Sequence, residues 1–242
     1  MYSLNQLILH KHFIRMKTVI LGILFIALNA SMFAQSSNYY LGINSGFSIP
    51  IGEYNNKNLD NGCFTQTGFT VGLEGAWYFK KHLGVGAQFS YALHPVDVGS
   101  LGYEKVIRDP FLTDLTIRSD PYQIISSAVG LFYKWNFKSK WSIYGKLLTG
   151  VMWAKTPYQL YKPEYFLVGP EYYEITSSRD SNIMGIIGSG IRIDLSPCIS
   201  LSGGGELQYS KMSFGFQTAS TTRYDHRTIA FINASISLIF VL

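Results

Sequence analysis

Six charged side chains, Glu74, Lys134, Lys146, Arg192, Asp194 and Glu206, stand in segments that otherwise alternate apolar and small residues. Three acids and three bases balance, and a charge taken out of water is costly unless it is paired. Two kinds of chemistry are open to them: a set of buried ion pairs, or a gated path for a proton or ion. A second group, His94, Asp97, Asp225, His226 and Thr228, lies near segment ends and has the residue types of acid–base work. Nucleophilic catalysis needs a nucleophile and a base within hydrogen-bond reach. Only "HRT" at His226 loosely approaches a His-x-Ser arrangement, and isolated histidines in such places are usually just solvated. There is no P-loop, no HExxH and no cysteine-pair zinc spacing, so neither a metal nor a cofactor is expected. "GGG", Gly203 to Gly205, sits inside a strand pattern, where it suits curvature or close packing better than phosphate binding.

The elements that position these residues begin after a leader. In "MKTVILGILFIALNASMFAQ", Lys17 supplies positive charge, Thr18 to Leu28 form a short apolar core and Ala34 is a small residue suited to cleavage, which is the pattern of a secretory signal peptide. The apolar run is shorter than the ~20 residues of a spanning helix. Met1 to Arg15 are either an extended n-region or upstream sequence with Met16 as the start. The chain therefore divides into a leader, 1–34, and one domain, 35–242. The "HKH" of His10 and His12 leaves with the leader and is no metal site. Cleavage also removes Lys11, Arg15 and Lys17 but no acid, so the formal charge of +5 falls to +2. The remaining basic residues form no run of the kind that tracks phosphates, which excludes nucleic acid as a partner.

Eight segments with a period of two follow: Tyr39–Gly52, Gly68–Phe79, Leu83–His94, Tyr122–Phe137, Trp141–Thr156, Asn182–Leu195, Ile199–Lys211 and Arg227–Leu242. No amphipathic helix stands out. The connections alternate: "KKH", "KSK" and "SPC" are tight, whereas Glu53–Thr67, Pro95–Pro121, Pro157–Ser181 and Met212–His226 are long. An even strand count with alternating short and long connections is the layout of an outer-membrane barrel, with short turns and both termini in the periplasm. The fold class read from the sequence is thus all-β, an eight-stranded antiparallel up-and-down transmembrane β-barrel.

Which side of the strands touches lipid is decided by composition. In the second segment Phe69, Val71, Leu73, Trp77 and Phe79 oppose Thr70, Gly72, Glu74, Ala76 and Tyr78. A water-facing set would be rich in charge. Here the non-apolar set is mainly Gly, Ser and Ala, which suits a cramped lumen, so Gly42, Asn44, Gly46 and Ser48 are expected inside. The apolar set carries Trp77, Phe79, Tyr133, Trp135, Phe137 and Trp141 beside the short turns, and Tyr91, Trp153 and Tyr209 near the long loops. Two aromatic girdles mark two membrane interfaces. Eight strands enclose a space that side chains can fill, so no open pore is expected. Cys63 and Cys198 fall at opposite ends of the barrel, much farther apart than the ~7 Å between α-carbons that a disulfide allows, and are expected as free thiols.

"GINSGFSIPIGEY" as first strand, paired aromatics at short turns, and a last strand with Ala230, Ile232, Ala234, Ile236, Leu238, Phe240 and Leu242 on one face carry a family resemblance. The chain resembles the small bacterial outer-membrane β-barrel proteins, particularly the PorT-like outer membrane protein β-barrel domain family; OmpA-like and OmpX-like barrels look similar in strand number. The final strand resembles the signal read by the outer-membrane assembly machinery, departing from it in ending on Leu242 with Phe240 two residues earlier. The resemblance implies a monomer among outer-membrane lipids and lipopolysaccharide, with an extracellular or envelope protein as candidate partner. Three roles follow: a structural or surface-interaction barrel, an accessory of a secretion or envelope-assembly system, or a lipid A-modifying enzyme with its residues at the outer rim. Of these, the non-enzymatic surface role fits the residues best. Its recognition candidates are Tyr158, Tyr161, Tyr165, Phe166, Tyr172 and Tyr173 in the third long loop, aromatic faces with polar tips that suit a contact surface; alternatively they pack on neighbouring loops.

Overall fold

The computed structural model describes residues 38–166, 172–217 and 221–242. The leader, 1–34, lies outside the described residues. Eight strands close into a ring: β1 (Tyr39–Pro50), β2 (Gly68–Tyr78), β3 (Leu83–His94), β5 (Tyr122–Asn136), β6 (Trp141–Lys155), β9 (Arg179–Asp194), β10 (Ile199–Gln217) and β11 (Thr222–Val241). Chain neighbours pair antiparallel, and β1 closes the ring on β11 from Tyr40↔Val241 to Pro50↔Phe231. Every barrel strand has at least the 11 residues of β2, enough to cross a bilayer at the usual tilt of about 45°. Closure leaves no edge whose N–H and C=O groups would lie unpaired in hydrocarbon.

Alternation sorts the two faces as composition demands. Tyr39, Leu41, Ile43, Phe47 and Ile49 of β1 are exposed, while Gly42, Asn44 and Ser48 are buried and Gly46 half-buried. The same holds on β2, with Phe69, Val71, Leu73 and Trp77 outside and Thr70, Gly72, Glu74 and Ala76 inside. In the aromatic girdles Trp77, Phe79, Tyr133, Trp135, Phe137 and Trp141 are exposed at the short-turn end, and Trp153 and Tyr209 toward the long-loop end; Tyr91 is half-buried. Such a continuous apolar outer surface is tenable only against lipid or another apolar body. The two cysteines are free, with Cys63 buried in the first long loop and Cys198 exposed in the turn between β9 and β10.

Above the ring the structure differs from the sequence expectation in two places. The second long connection contains a helix, α1 (Val98–Arg108), and with the third it builds a separate three-stranded sheet in the order β4 (Leu112–Ser119), β7 (Gln159–Tyr165), β8 (Tyr173–Ile175). In α1, "VGSLGYEKVIR" has two glycines and two valines and so little intrinsic helix preference. It is held by tertiary means: Asp97 caps it by accepting from Ser100 N at 3.1 Å and Ser100 Oγ at 2.7 Å, and Leu101 and Val106 pack with Leu112, Leu115 and Ile117 of β4. Secondly, the fourth connection is no long loop. The β10–β11 ladder runs on to Gln217↔Thr222, so a hairpin of two strands, 19 and 20 residues long, rises beyond the other strands.

Candidate functional site

Inside the ring, three of the six lumen charges meet. Lys146 Nζ lies 3.0 Å from Glu74 Oε2 and 2.7 Å from Glu206 Oε2, and donates to Gln88 Oε1 at 2.8 Å. All three hydrogens of the ammonium group thus have a partner. Gln88 Nε2 donates to both Glu206 oxygens at 3.0 Å, and Gln208 and Asn233 donate to Glu206 Oε1 at 2.8 and 2.9 Å. Ser126 donates in turn to Gln208 Oε1 at 2.9 Å. The register explains how Lys146 reaches across: its cross-strand partner on β9 is Gly188, whose other partner is Glu206 of β10. A Cβ at Gly188 would stand 2.9 Å from Lys146 Cε and 3.0 Å from Glu206 Cβ. A side chain there would close the path.

The other three lumen charges sit nearer the short turns. The Arg192 guanidinium lies over the Tyr40 ring, 4.4 Å from its centroid, and 6.0 Å from that of Tyr144. Asp194 accepts from Ser200 Oγ at 2.6 Å, and half-buried Lys134 makes no ion pair among the described residues. Tyr144 fits because Gly190 and Gly204 face it; a Cβ at either would fall 2.6 or 2.4 Å from its hydroxyl. Of the three consecutive glycines only Gly204 has that duty, while Gly203 and Gly205 turn outward.

Toward the long loops the lumen becomes apolar, filled by Ile124, Met152, Met184, Met212, Ile229 and Phe231. It is closed by a residue that sequence reasoning passed over, Tyr54. Gly52, with φ of 64°, turns the chain sharply at the end of β1, a conformation glycine adopts at little cost. Ile51 N then donates to Ala230 O at 2.9 Å and Thr228 N to the Glu53 carboxylate at 3.2 Å, fastening the Gly52–Tyr54 turn to β11. The Tyr54 ring drops into the mouth, fully buried, at 5.2 Å from His94, 5.5 Å from Tyr122 and 6.5 Å from Phe231. Its hydroxyl hydrogen-bonds His94 Nδ1 at 3.2 Å, and His94 Nε2 bonds Ser48 Oγ at 2.8 Å. His94 is therefore no solvated rim residue: it is completely buried. The signal available was the "GEY" directly after an alternating strand.

The remaining rim candidates are dispersed. Asp97 caps α1 and pairs with Lys57 at 2.7 Å. Asp225 faces Arg223 at 3.0 Å and Arg227 at 3.8 Å, His226 is exposed, and the Thr228 amide is held by Glu53. Ser48 and His94, which share a hydrogen bond, are both sealed beneath Tyr54, whereas Ser213 and His226 are cross-strand partners on β10 and β11. Among the described residues no cluster of His, Cys, Asp or Glu could hold a metal ion.

The six aromatic loop candidates divide. Tyr161 is buried, stacked on Tyr173 at 4.7 Å with the rings nearly parallel, and Lys105 Nζ lies 4.4 Å from its centroid. It belongs to the loop core and has no free face. Burial of Lys105 lowers the pKa of its ammonium group. Tyr158 donates to Glu174. Phe166 and Tyr172 are exposed at 78% and 64%, with Lys162 Nζ 6.0 Å from the Tyr172 centroid, and Tyr165 and Tyr173 are less exposed. Phe166 N donates to Phe111 O at 3.2 Å, which places it beside a second exposed ring, and Tyr103 and Ile107 of α1, one helical turn apart, are exposed as well. Between the loops lies a cavity of about 460 Å³ whose walls include Cys63, Lys105, Tyr161, Glu174, Asp225 and Arg227.

A closed antiparallel ring, an apolar outer band and a lumen filled by its own side chains together define an eight-stranded transmembrane β-barrel. No protein-family model matches the chain and no curated protein matches it in sequence. Among solved structures it is similar to Neisserial surface protein A, at 10% identity and a TM-score of 0.46 over 86% of this chain and 98% of that one. It is also similar to Ail, the attachment invasion locus protein of Yersinia pestis, at 15% identity and 0.42 over 84% and 99%. A major outer membrane protein from Thermus thermophilus gives 10% and 0.45 over 84% and 98%. At these identities the likeness carries no argument about activity, and the description of the barrel rests on its own strands.

Proposed function

We propose that this chain is an integral outer-membrane barrel with a sealed lumen, acting structurally and through the surface it presents at its long-loop end. The observation that carries this reading is the double closure of the tube. The Lys146–Glu74–Glu206 network spans the middle and Tyr54 stops the mouth, so the described residues obstruct the tube at two levels, which supports a barrel that conducts no solute. What remains available to a partner is the loop layer. Its exposed rings, Phe111, Phe166, Tyr103 and Tyr172, with exposed Ile107, are carried on a folded support. Aromatic anchors of this kind carry much of the energy of protein contacts. The PorT-like resemblance enters this proposal through its strands alone, and the partner we favour is an extracellular or envelope protein met by a monomer. No chemistry is included, because Ser48 and His94 have no path to a substrate.

The test has two arms. Purified protein in planar bilayers is expected to show no steady large conductance, and steady channels in the unmodified barrel would contradict the sealed lumen. Phe111→Ser together with Phe166→Ser is expected to abolish binding to envelope or host-surface preparations while heat-modifiable migration stays normal. Unchanged binding would remove the recognition surface from the proposal.

A further inference from the structure

On the outward face of three adjacent strands, Gln123 of β5, Lys155 of β6 and Arg179 of β9 are direct cross-strand partners in one row. The next row toward the membrane, two residues along each strand, is Ile125, Trp153 and Ser181. These six residues line a surface cleft of about 550 Å³ on the outside of the barrel. Lys155 and Arg179 stand directly opposite each other, an arrangement of like charges that destabilises a sheet by itself. Neither makes an ion pair among the described residues. Ala154 and Asp180 also border the cleft; the Asp180 carboxylate, of opposite parity on β9, accepts from the Ser213 amide at 2.6 Å. The row therefore holds two cations, neither within ion-pair distance of an acid among the described residues, immediately above the end of the apolar band, where Trp153 is 44% exposed and Ile183, one further row down, 73% exposed.

We infer that this cleft binds a phosphorylated lipid headgroup of the surrounding leaflet, Lys155 and Arg179 taking the phosphate while Trp153, Ile125 and Ile183 contact the acyl chains. The inference rests on the proposed membrane setting, with the long-loop end outward, which makes the phosphates of lipid A the matching anion. Arg offers a planar fork to phosphate oxygens and Lys a point charge. The like-charge pair gains a counter-ion only when the headgroup is seated, and Gln123 adds a neutral donor beside it. On β10 the same order recurs, with Tyr209 followed two residues later by exposed, outward-facing Lys211, so the ring places cations just above its aromatic girdle at more than one position.

The experiment reconstitutes the full barrel into phosphatidylcholine vesicles doped with bisphosphorylated lipid A. Retained lipid A per barrel is counted by native mass spectrometry. The expected result is specific retention by the wild type, weakened about tenfold or more in the double variant Lys155→Gln/Arg179→Gln, given the strength of charge-assisted hydrogen bonds. Lys155→Arg in an otherwise wild-type chain should keep retention, and lipid A stripped of its phosphates should be held no better by the wild type than by the double variant. Equal retention by wild type and double variant, or equal retention of the phosphate-free lipid, would overturn the headgroup site while leaving the barrel reading intact. A double variant that keeps heat-modifiable migration establishes that lost binding is not lost folding; if it does not, the phosphate-free lipid on the wild type decides the matter. Failure of the wild-type barrel to insert at all would overturn both the site and the membrane setting beneath it.

Discussion

The middle of the lumen and its mouth are closed by opposite chemistry. In the middle, a single cation, Lys146, is saturated by two carboxylates and an amide, and Glu206 collects further donors from Gln88, Gln208 and Asn233. At the mouth one neutral ring, Tyr54, sits among His94, Tyr122 and Phe231 with a single hydrogen bond from its hydroxyl group to His94. A charged network is held by mutual compensation, so its weakness is the loss of one member. An aromatic stopper is held by packing, so its weakness is a void.

The largest effect should come from breaking compensation. Lys146→Ala leaves Glu74 and Glu206 buried without a cation, and removing one partner of a buried pair costs about 3–5 kcal/mol. Urea unfolding of the detergent-solubilised barrel checks this. Replacing all three by Leu should recover most of the loss, since a well-packed apolar substitute is often neutral or better. A near-normal midpoint for the single variant would mean that water already reaches the network and that the middle resembles a wet channel more than a plug.

Next comes the void. Tyr54→Ala should cost about 3 kcal/mol, the lower end for truncating a buried aromatic side chain, because a loop segment can partly collapse into the space. It should also permit brief conductance events absent from the parent. Tyr54→Phe separates packing from hydrogen bonding and should lose only about 1 kcal/mol. If the Phe variant were as damaged as the Ala variant, the mouth would owe its closure to the Tyr54–His94 bond, and the contrast with the middle would disappear.

The smallest effect belongs to the loop layer, where Asp97 caps α1. The hydrogen bond from Lys57, then those from the Ser100 hydroxyl and amide, and lastly the Lys57 charge hold its carboxyl well below the usual carboxylate range. A depressed folded-state pKa contributes stability above the unfolded value of about 4 and loses it as pH falls through the folded value. The helix should therefore loosen only in strong acid. Asp97→Ala should cost about 1 kcal/mol, the usual worth of such a cap, read as faster hydrogen exchange in Val98–Arg108 with no change in the barrel.

These differences also decide what could be read from the residues alone. The wall was legible because alternation is local: Phe69, Val71 and Leu73 declare a face without reference to any other strand. The lumen charges were legible as a group, since balanced charges inside an apolar pattern require partners. That Lys146 meets Glu74 and Glu206 while Arg192 goes to Tyr40 depends on shear around the ring, and on Gly188 clearing the way, which no single segment encodes. Tyr54 was missed, and His94 was placed at a solvated rim, because a turn after a strand reads as solvent-exposed until Gly52 is known to bend it inward. α1 and the β4–β7–β8 sheet were hidden for the same kind of reason: their stability lies in contacts between two loops far apart in the chain.

The most direct test of the account is a lipid-phase quencher applied to single fluorescent labels along β1 and β2, in a chain with Cys63 and Cys198 replaced by Ser. Labels at Ile43, Phe47, Val71 and Leu73 should be strongly quenched by brominated acyl chains, while the naturally inward Asn44 and Thr70 should resist labelling in the folded barrel. Ready labelling of Asn44 and Thr70 by a water-soluble reagent, with Ile43 and Leu73 protected from the lipid quencher, would reverse the two faces and contradict the account.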